Sequence, residues 1–218
     1  MAASASTRSS VAPTRRRIAI LGSTGSIGRQ TLEVVCAFPD HFQVVALAAR
    51  SNVALLAEQA REFAPELVVV TEDTSEARAV LDARLPKGTR AIHGVEGLSE
   101  AATYPGVETV VAATSGMIGF EPTLAAIRAG KTIALANKET LVMGGHIVTA
   151  EARRAGVAIL PVDSEHSAIW QSLRGERTSE VRRLLITASG GPFRQMSLAA
   201  MRDVTVEQAL KHPTWHMG

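Results

Sequence analysis

The chain has 218 residues, 46% hydrophobic, 4% aromatic and 20% charged, which excludes a disordered polypeptide, and no apolar run approaches the roughly 20 residues of a membrane span. A single cysteine, Cys36, excludes an internal disulfide and a cysteine-rich zinc site and points to a reducing compartment. The formal charge of +2 is concentrated in the first 17 residues, which carry Arg8, Arg15, Arg16 and Arg17 and no acid; the rest has 19 basic against 21 acidic residues, which excludes a general nucleic-acid binder.

Residues 1–17 read as a disordered basic extension, with a plastid or mitochondrial targeting peptide as the other reading. From Arg17 onward a β-α-β pattern begins. Residues 18–21 are a short apolar run followed by glycine, a buried strand. A helix over 25–37, with Ile27, Leu32, Val34 and Val35 as apolar positions, stops before Pro39. A strand at 43–48, a helix at 53–63 (core candidates Leu55, Leu56 and Phe63), a strand at 67–70 and a helix at 75–85 follow. Strands at 109–113, 132–136 and 157–160 alternate with helices near 122–129 and 141–155. This alternation predicts an α/β fold, a doubly wound parallel sheet with helices on both faces. Such sheets bind ligands at the carboxyl ends of their strands, so the loops after Leu21, Ala48, Ala113 and Ala136 are the candidate site. After Pro161 the pattern changes: a loop and short helix at 163–173, a strand at 181–187 and a glycine-rich loop at 189–194. No element closes the chain before Gly218, so an N-terminal portion of a longer protein is expected.

Gly22-Ser23-Thr24-Gly25-Ser26-Ile27-Gly28 lies between the first strand and the first helix. Glycines there permit a tight turn and let backbone N–H groups approach a pyrophosphate at the helix N-terminus. An NAD-selecting protein places Asp or Glu at the end of the second strand. This chain has Arg50, Ser51 and Asn52 there, a set suited to a 2′-phosphate, so NADPH is the expected cofactor.

Residue scarcity excludes some chemistry. The only tyrosine, Tyr104, has Glu108 rather than lysine four residues on, and Cys36 is expected in the core rather than as a nucleophile. Asp163 and Glu165 are two apart; in an extended segment both face one side and suit a hard cation such as Mg²⁺ or Mn²⁺. The competing reading is a helix start with Asp163 or Ser164 as cap. Lys138, at a strand's carboxyl end beside Asn137 and Glu139, suits a substrate oxyanion or phosphate, or is a solvated lysine. Ser189 with Gly190 and Gly191 offers donors to a phosphate. His212 and Trp215 sit in a loop that suits a lid.

Six blocks together resemble the 1-deoxy-D-xylulose 5-phosphate reductoisomerase family. They are Ile-Leu-Gly-Ser-Thr-Gly-Ser-Ile-Gly at 20–28, Ala-Ala-Ile-Arg-Ala-Gly-Lys at 125–131 and Ala-Asn-Lys-Glu-Thr-Leu at 136–141. The others are Leu-Pro-Val-Asp-Ser-Glu-His-Ser-Ala-Ile at 160–169, Ala-Ser-Gly-Gly-Pro-Phe-Arg at 188–194 and His-Pro-Thr-Trp-His-Met-Gly at 212–218. The resemblance implies a Rossmann-like NADPH-binding domain over 18–162 and the start of an α+β catalytic domain over 163–218. It implies metal-dependent rearrangement and NADPH reduction of 1-deoxy-D-xylulose 5-phosphate to 2-C-methyl-D-erythritol 4-phosphate, in non-mevalonate isoprenoid synthesis. By position, Asp163 and Glu165 match metal ligands, and Lys138, Ser164, Ser189 and His212 match substrate contacts. Thr24, Gly25, Ser26, Ile27, Asn137, Glu139 and Gly218 match cofactor contacts, and Trp215 and Met217 a closing lid. A homodimer, in the bacterial cytoplasm unless the tail is a targeting peptide, is also implied. A third metal-binding glutamate and an Asn-Lys pair for the phosphate are expected beyond Gly218, so little turnover is expected of these 218 residues alone. Arg50-Ser51-Asn52 departs from the family's glycine-containing triplet, and no role is assigned within 114–119. The alternatives are another NADP-dependent sugar-phosphate oxidoreductase and a non-catalytic dinucleotide-binding module.

Overall fold

In the first strand, β1 (Arg16–Leu21), successive side chains turn to opposite faces of a sheet. Ile18 and Ile20 join one buried cluster, Ala19 and Leu21 another. The structure is a computed structural model, and it describes residues 15–188, 190–211 and 213.

The elements alternate as the sequence predicts: α1 (Ser26–Ala37), β2 (Phe42–Ala49), α2 (Val53–Phe63), β3 (Leu67–Val70) and α3 (Ser75–Arg84). Two elements follow that the sequence reading lacks, β4 (Arg90–His93) and α4 (Gly97–Thr103). Then come β5 (Thr109–Ala112), a 3₁₀ turn (Gly116–Gly119), α5 (Phe120–Arg128), β6 (Thr132–Leu135), α6 (Glu139–Ala155) and β7 (Ile159–Pro161). All neighbouring strands run parallel in the order β4-β3-β2-β1-β5-β6-β7. Helices α1, α2 and α3 cover one face through Leu32, Leu56 and Leu81; α4, α5 and α6 cover the other through Leu98, Ile127 and Val148. Burying each large aliphatic side chain contributes about 1.5–3 kcal/mol, so both layers hold the sheet. Because both faces are covered, Val44–Ala49 of β2 is buried throughout and shows no polar alternation.

Helix ends follow local chemistry. Asn52 Oδ1 accepts from Leu55 N at 3.2 Å and caps α2; Thr74 Oγ1 accepts from Ala77 N at 3.1 Å and caps α3. In α1 the buried stripe is Gly28, Leu32 and Val35, with Val34 exposed. Cys36 is exposed, contrary to the core position expected for it: it sits at the stripe's margin in the last turn, where its thiol meets Glu62 Oε1 at 3.6 Å. Partial burial of the sulfur, and then the carboxylates of Glu62 and Glu33, push its pKa up, the opposite of what a nucleophile requires.

The chain divides into two compact units, the first ending at Asp163 and the second beginning at Ser164. The second contains α7 (Ser164–Ser172), 3₁₀ turns at Thr178–Glu180 and Ala200–Asp203, and α8 (Val206–Leu210), started by a capping box between Thr205 and Gln208. The strand expected at 181–187 is not formed. Leu184, Leu185 and Ile186 are 56%, 68% and 70% exposed: an apolar run becomes a strand only where a neighbour takes its backbone hydrogen bonds, and these residues have no such neighbour among the described residues. No described residue of this unit is buried.

Candidate functional site

The chain order reverses at β1, which lies between β2 and β5. Leu21 pairs with both Ala48 and Ala112, so the loops leaving β1, β2 and β5 open side by side at one edge. This is the switch point at which doubly wound sheets take ligands. Gly22 has φ +91°, and a Cβ there would lie 2.5 Å from the Ala113 carbonyl oxygen. Gly22 N and Ser23 N both donate to Ala48 O at 2.8 Å. Gly28 lets α1 sit directly on this turn: a Cβ on it would strike the Gly22 oxygen and lie 2.5 Å from Ser23 Cα. Helix α1 begins after Gly25 with no side-chain cap and no acid in its first turn. Its first N–H groups and the positive end of its dipole are therefore available to an anion.

A cleft of about 610 Å³ opens at this edge, lined by Gly22, Thr24, Gly25 and Arg50 among the residues named from sequence. Ser23 does not line it: the residue is fully buried and its hydroxyl has no hydrogen-bond partner among the described residues. Ser26 is exposed and Ile27 half-buried in the first turn of α1, and neither is a lining residue. Ser51 and Asn52 line a neighbouring groove of about 370 Å³. Ser115, Met117 and Ile118, in the loop after Ala113 that the sequence reading named without assigning roles, also line the cleft, as do Thr71, Glu72 and Val95, which that reading missed. The end of β2 carries no carboxylate, as read from sequence, but Glu72 brings one into the same cleft. It arrives from the end of β3, and its N–H donates to Arg50 O at 3.0 Å. The signal was present: the carboxyl-edge rule applies to the third strand as well as the second.

Further along the same edge, Asn137 is 2% exposed and its side-chain amide is fully engaged. Nδ2 donates to Thr114 O at 2.6 Å and Gly116 O at 2.8 Å, while Oδ1 accepts from Thr140 N at 3.0 Å and Thr140 Oγ1 at 2.7 Å. Asn137 thus ties the loop after β5 to the start of α6. Leu135 of β6 pairs with Pro161 of β7, so the residues just beyond these strand ends meet. Lys138 Nζ lies 2.7 Å from Asp163 Oδ2, the lysine side chain 61% exposed and the aspartate 14%. Lys138 therefore stands against Asp163, 25 positions away, and not simply beside Glu139, which is exposed in the first turn of α6.

In the second unit, Ser164 and Glu165 occupy the first turn of α7. The extended-segment spacing argument for Asp163 and Glu165 therefore does not hold; one precedes the helix and the other is inside it. Glu165 is half-buried and lines a groove of about 380 Å³ with Arg183 and Thr187. Among the described residues no three His, Cys, Asp or Glu side chains are grouped to hold a metal ion. Ser189, His212, Trp215, Met217 and Gly218 lie outside the described residues.

Comparison with known proteins agrees with this geometry. The family model for 1-deoxy-D-xylulose 5-phosphate reductoisomerase matches residues 18–145, and that for the C-terminal domain of the same enzyme matches 159–218. The Halalkalibacterium halodurans 1-deoxy-D-xylulose 5-phosphate reductoisomerase is 54% identical over 201 residues, 92% of this chain and 52% of its own length. The Thermomicrobium roseum enzyme is 53% identical over 205 residues, 94% of this chain and 51% of its own. The chain thus spans about half the length of these curated relatives. Among solved structures, the Zymomonas mobilis reductoisomerase in complex with NADPH superposes with TM-score 0.83 at 43% identity, covering 91% of this chain and 52% of that one. A DOX-P reductoisomerase holding NADPH, fosmidomycin and magnesium superposes with TM-score 0.80 at 41% identity, covering 93% and 52%. The chain belongs to the 1-deoxy-D-xylulose 5-phosphate reductoisomerase family.

Proposed function

We propose that this chain supplies the NADPH-binding domain and the first part of the catalytic domain of an enzyme that converts 1-deoxy-D-xylulose 5-phosphate to 2-C-methyl-D-erythritol 4-phosphate. The observation that carries the reading is one sheet edge bearing both an anion-accepting glycine turn with Arg50 and the Lys138–Asp163 pair. The residues fit the cofactor. The turn at Gly22 and the uncapped start of α1 suit a pyrophosphate, and Arg50, with Ser51 and Asn52 beside it, suits a 2′-phosphate. Hard oxygen donors at Asp163 and Glu165 fit Mg²⁺ or Mn²⁺ in kind, with further ligands needed for a full shell. When bound, the cation polarises the substrate carbonyl and NADPH provides the hydride.

The chain's own groups then have distinct work. Thr24 and Gly25 with the first turn of α1 (Ser26, Ile27) hold the pyrophosphate. Asn137 fixes the loop after β5, giving the cofactor site a preformed wall. Lys138 stabilises the oxyanion that develops as the substrate rearranges. By the resemblance alone, Ser164, Ser189 and His212 bind the sugar phosphate, Trp215 and Met217 serve as the lid that excludes water, and Glu139 and Gly218 complete the cofactor contacts. The intact enzyme is a cytoplasmic homodimer in this reading, and among the described residues no helix is long and apolar enough to cross a membrane. The test is NADPH oxidation by the intact protein given 1-deoxy-D-xylulose 5-phosphate, with Mn²⁺ or with a chelator. Oxidation requiring both substrate and cation supports the reading; NADPH binding without oxidation under any of these conditions removes the substrate assignment.

A further inference from the structure

Helix α2 carries one polar residue on its buried face. Gln59 is 5% exposed among Leu56, Ala57 and Ala60, which are fully buried. Its Nε2 donates to the backbone carbonyl of Ser23 at 3.0 Å, while its Oε1 has no partner among the described residues. A half-satisfied buried amide destabilises a fold relative to an apolar side chain of the same size. Gln59 therefore does not serve the core; what it serves is the turn it touches.

The geometry of that turn shows how. No peptide bond here is cis, and a trans peptide holds its C=O and N–H in opposite directions. Ser23 N is already tied to Ala48 O at 2.8 Å. Once Gln59 draws the Ser23 carbonyl inward, the N–H of the same peptide plane, that of Thr24, is turned the other way. Thr24 lines the cleft.

We propose that Gln59 is a positioning residue for the dinucleotide: without touching it, Gln59 locks the Ser23–Thr24 peptide so that the Thr24 N–H faces the pyrophosphate. The proposal rests on the reading of the cleft as an NADPH site. It also links the two ends of that site, since Gln59 stands on the helix that Asn52 caps directly after Arg50 and Ser51.

The test uses the intact protein and fluorescence titration with NADPH alone, followed by steady-state kinetics. Gln59→Met keeps the volume and removes the donor; Gln59→Asn keeps the amide but withdraws it by one carbon. Both are expected to raise the Kd and KM for NADPH about tenfold, the equivalent of one charge-assisted hydrogen bond, with kcat within about twofold. Leu56→Ala, one helical turn away, is the control: it lowers Tm and leaves the NADPH Kd unchanged. Wild-type NADPH affinity in both Gln59 variants overturns the proposal and leaves the cofactor reading standing. Failure of the wild-type protein to bind NADPH overturns both.

Discussion

Gly28→Ala is the most direct test of how the glycine turn is built. The added Cβ would strike the Gly22 oxygen and lie 2.5 Å from Ser23 Cα and 2.7 Å from Ser23 C, all three backbone atoms. No rotamer change relieves such a contact, so α1 must move away from the turn. Overpacking of this kind costs about 1–3 kcal/mol, and backbone contacts place this case at the upper end. Alanine's better helix propensity returns at most about 1 kcal/mol. The net loss is about 2 kcal/mol, which lowers Tm by about 4–8 °C in a domain of this size. The same movement displaces the first N–H groups of α1 from the cleft, so NADPH affinity falls with stability. Gly25→Ala is the matched comparison: its Cβ meets only the Gly22 oxygen at 3.3 Å and its φ of −74° suits any residue, so its Tm stays within about 2 °C of wild type. Thermal unfolding followed by circular dichroism and an NADPH titration read both quantities. Equal Tm values for Gly28→Ala and wild type would refute the packing argument, and unchanged NADPH affinity at lowered Tm would refute its link to the site.

Three further outcomes are expected. Lys138→Met removes an ion pair whose lysine is 61% exposed, so Tm moves little, by an amount equivalent to less than about 1 kcal/mol; turnover of the intact enzyme falls about 10²–10³-fold if Lys138 holds an oxyanion, and near-normal kcat discards that role. Arg154, and with it Arg128, holds the Glu151 carboxyl below its usual range, against the opposing effect of burial. A lowered folded pKa adds stability above the ordinary glutamate range that is lost as pH falls through the folded value. Glu151→Gln should therefore flatten the acid side of a Tm-against-pH curve and leave its neutral side offset but parallel; an unchanged acid slope contradicts the assignment. Ala64 ends α2 at φ 44° immediately before Pro65, a left-handed conformation costing about 1–2 kcal/mol for a residue with a Cβ, so Ala64→Gly should raise Tm by a few degrees in thermal unfolding, and a fall would show that the helix end is held by something other than backbone strain.

What the sequence makes legible follows from how much chain each feature uses. The strands read at 18–21, 43–48 and 67–70 are, apart from Gln43, runs of buried aliphatics bounded by turns, and they recur in the structure because a sheet covered on both faces demands such runs. Strand β4 is four residues at the sheet edge with none of them buried, and α4 is seven residues opening on glycine, so neither leaves a periodic signal long enough to recognise. Residues 181–187 show the reverse failure: hydrophobicity announces a strand, but only a pairing partner makes one. Cys36 fails for a third reason, since one residue's rotation about α1 decides whether it meets the sheet or Glu62.

The candidate site divides along the same line. The glycine turn is legible because its chemistry is local: the turn and the uncapped helix start that suits an anion lie within seven consecutive residues, 22–28. Lys138 and Asp163 are each noticeable alone, yet each has an ordinary local explanation, a solvated lysine and a helix cap. Their meeting at 2.7 Å depends on β6 and β7 ending in register, Leu135 against Pro161, and register between neighbouring strands is a property of the sheet. Glu72 and Gln59 are harder still. The first enters the cleft from a strand two places away from β1, and the second acts on the turn from beneath, through a carbonyl that no side-chain pattern records. A parallel sheet gathers the ends of strands that are distant in sequence. Its binding edge is therefore predictable as a location, while the pairs that form there depend on where each strand stops.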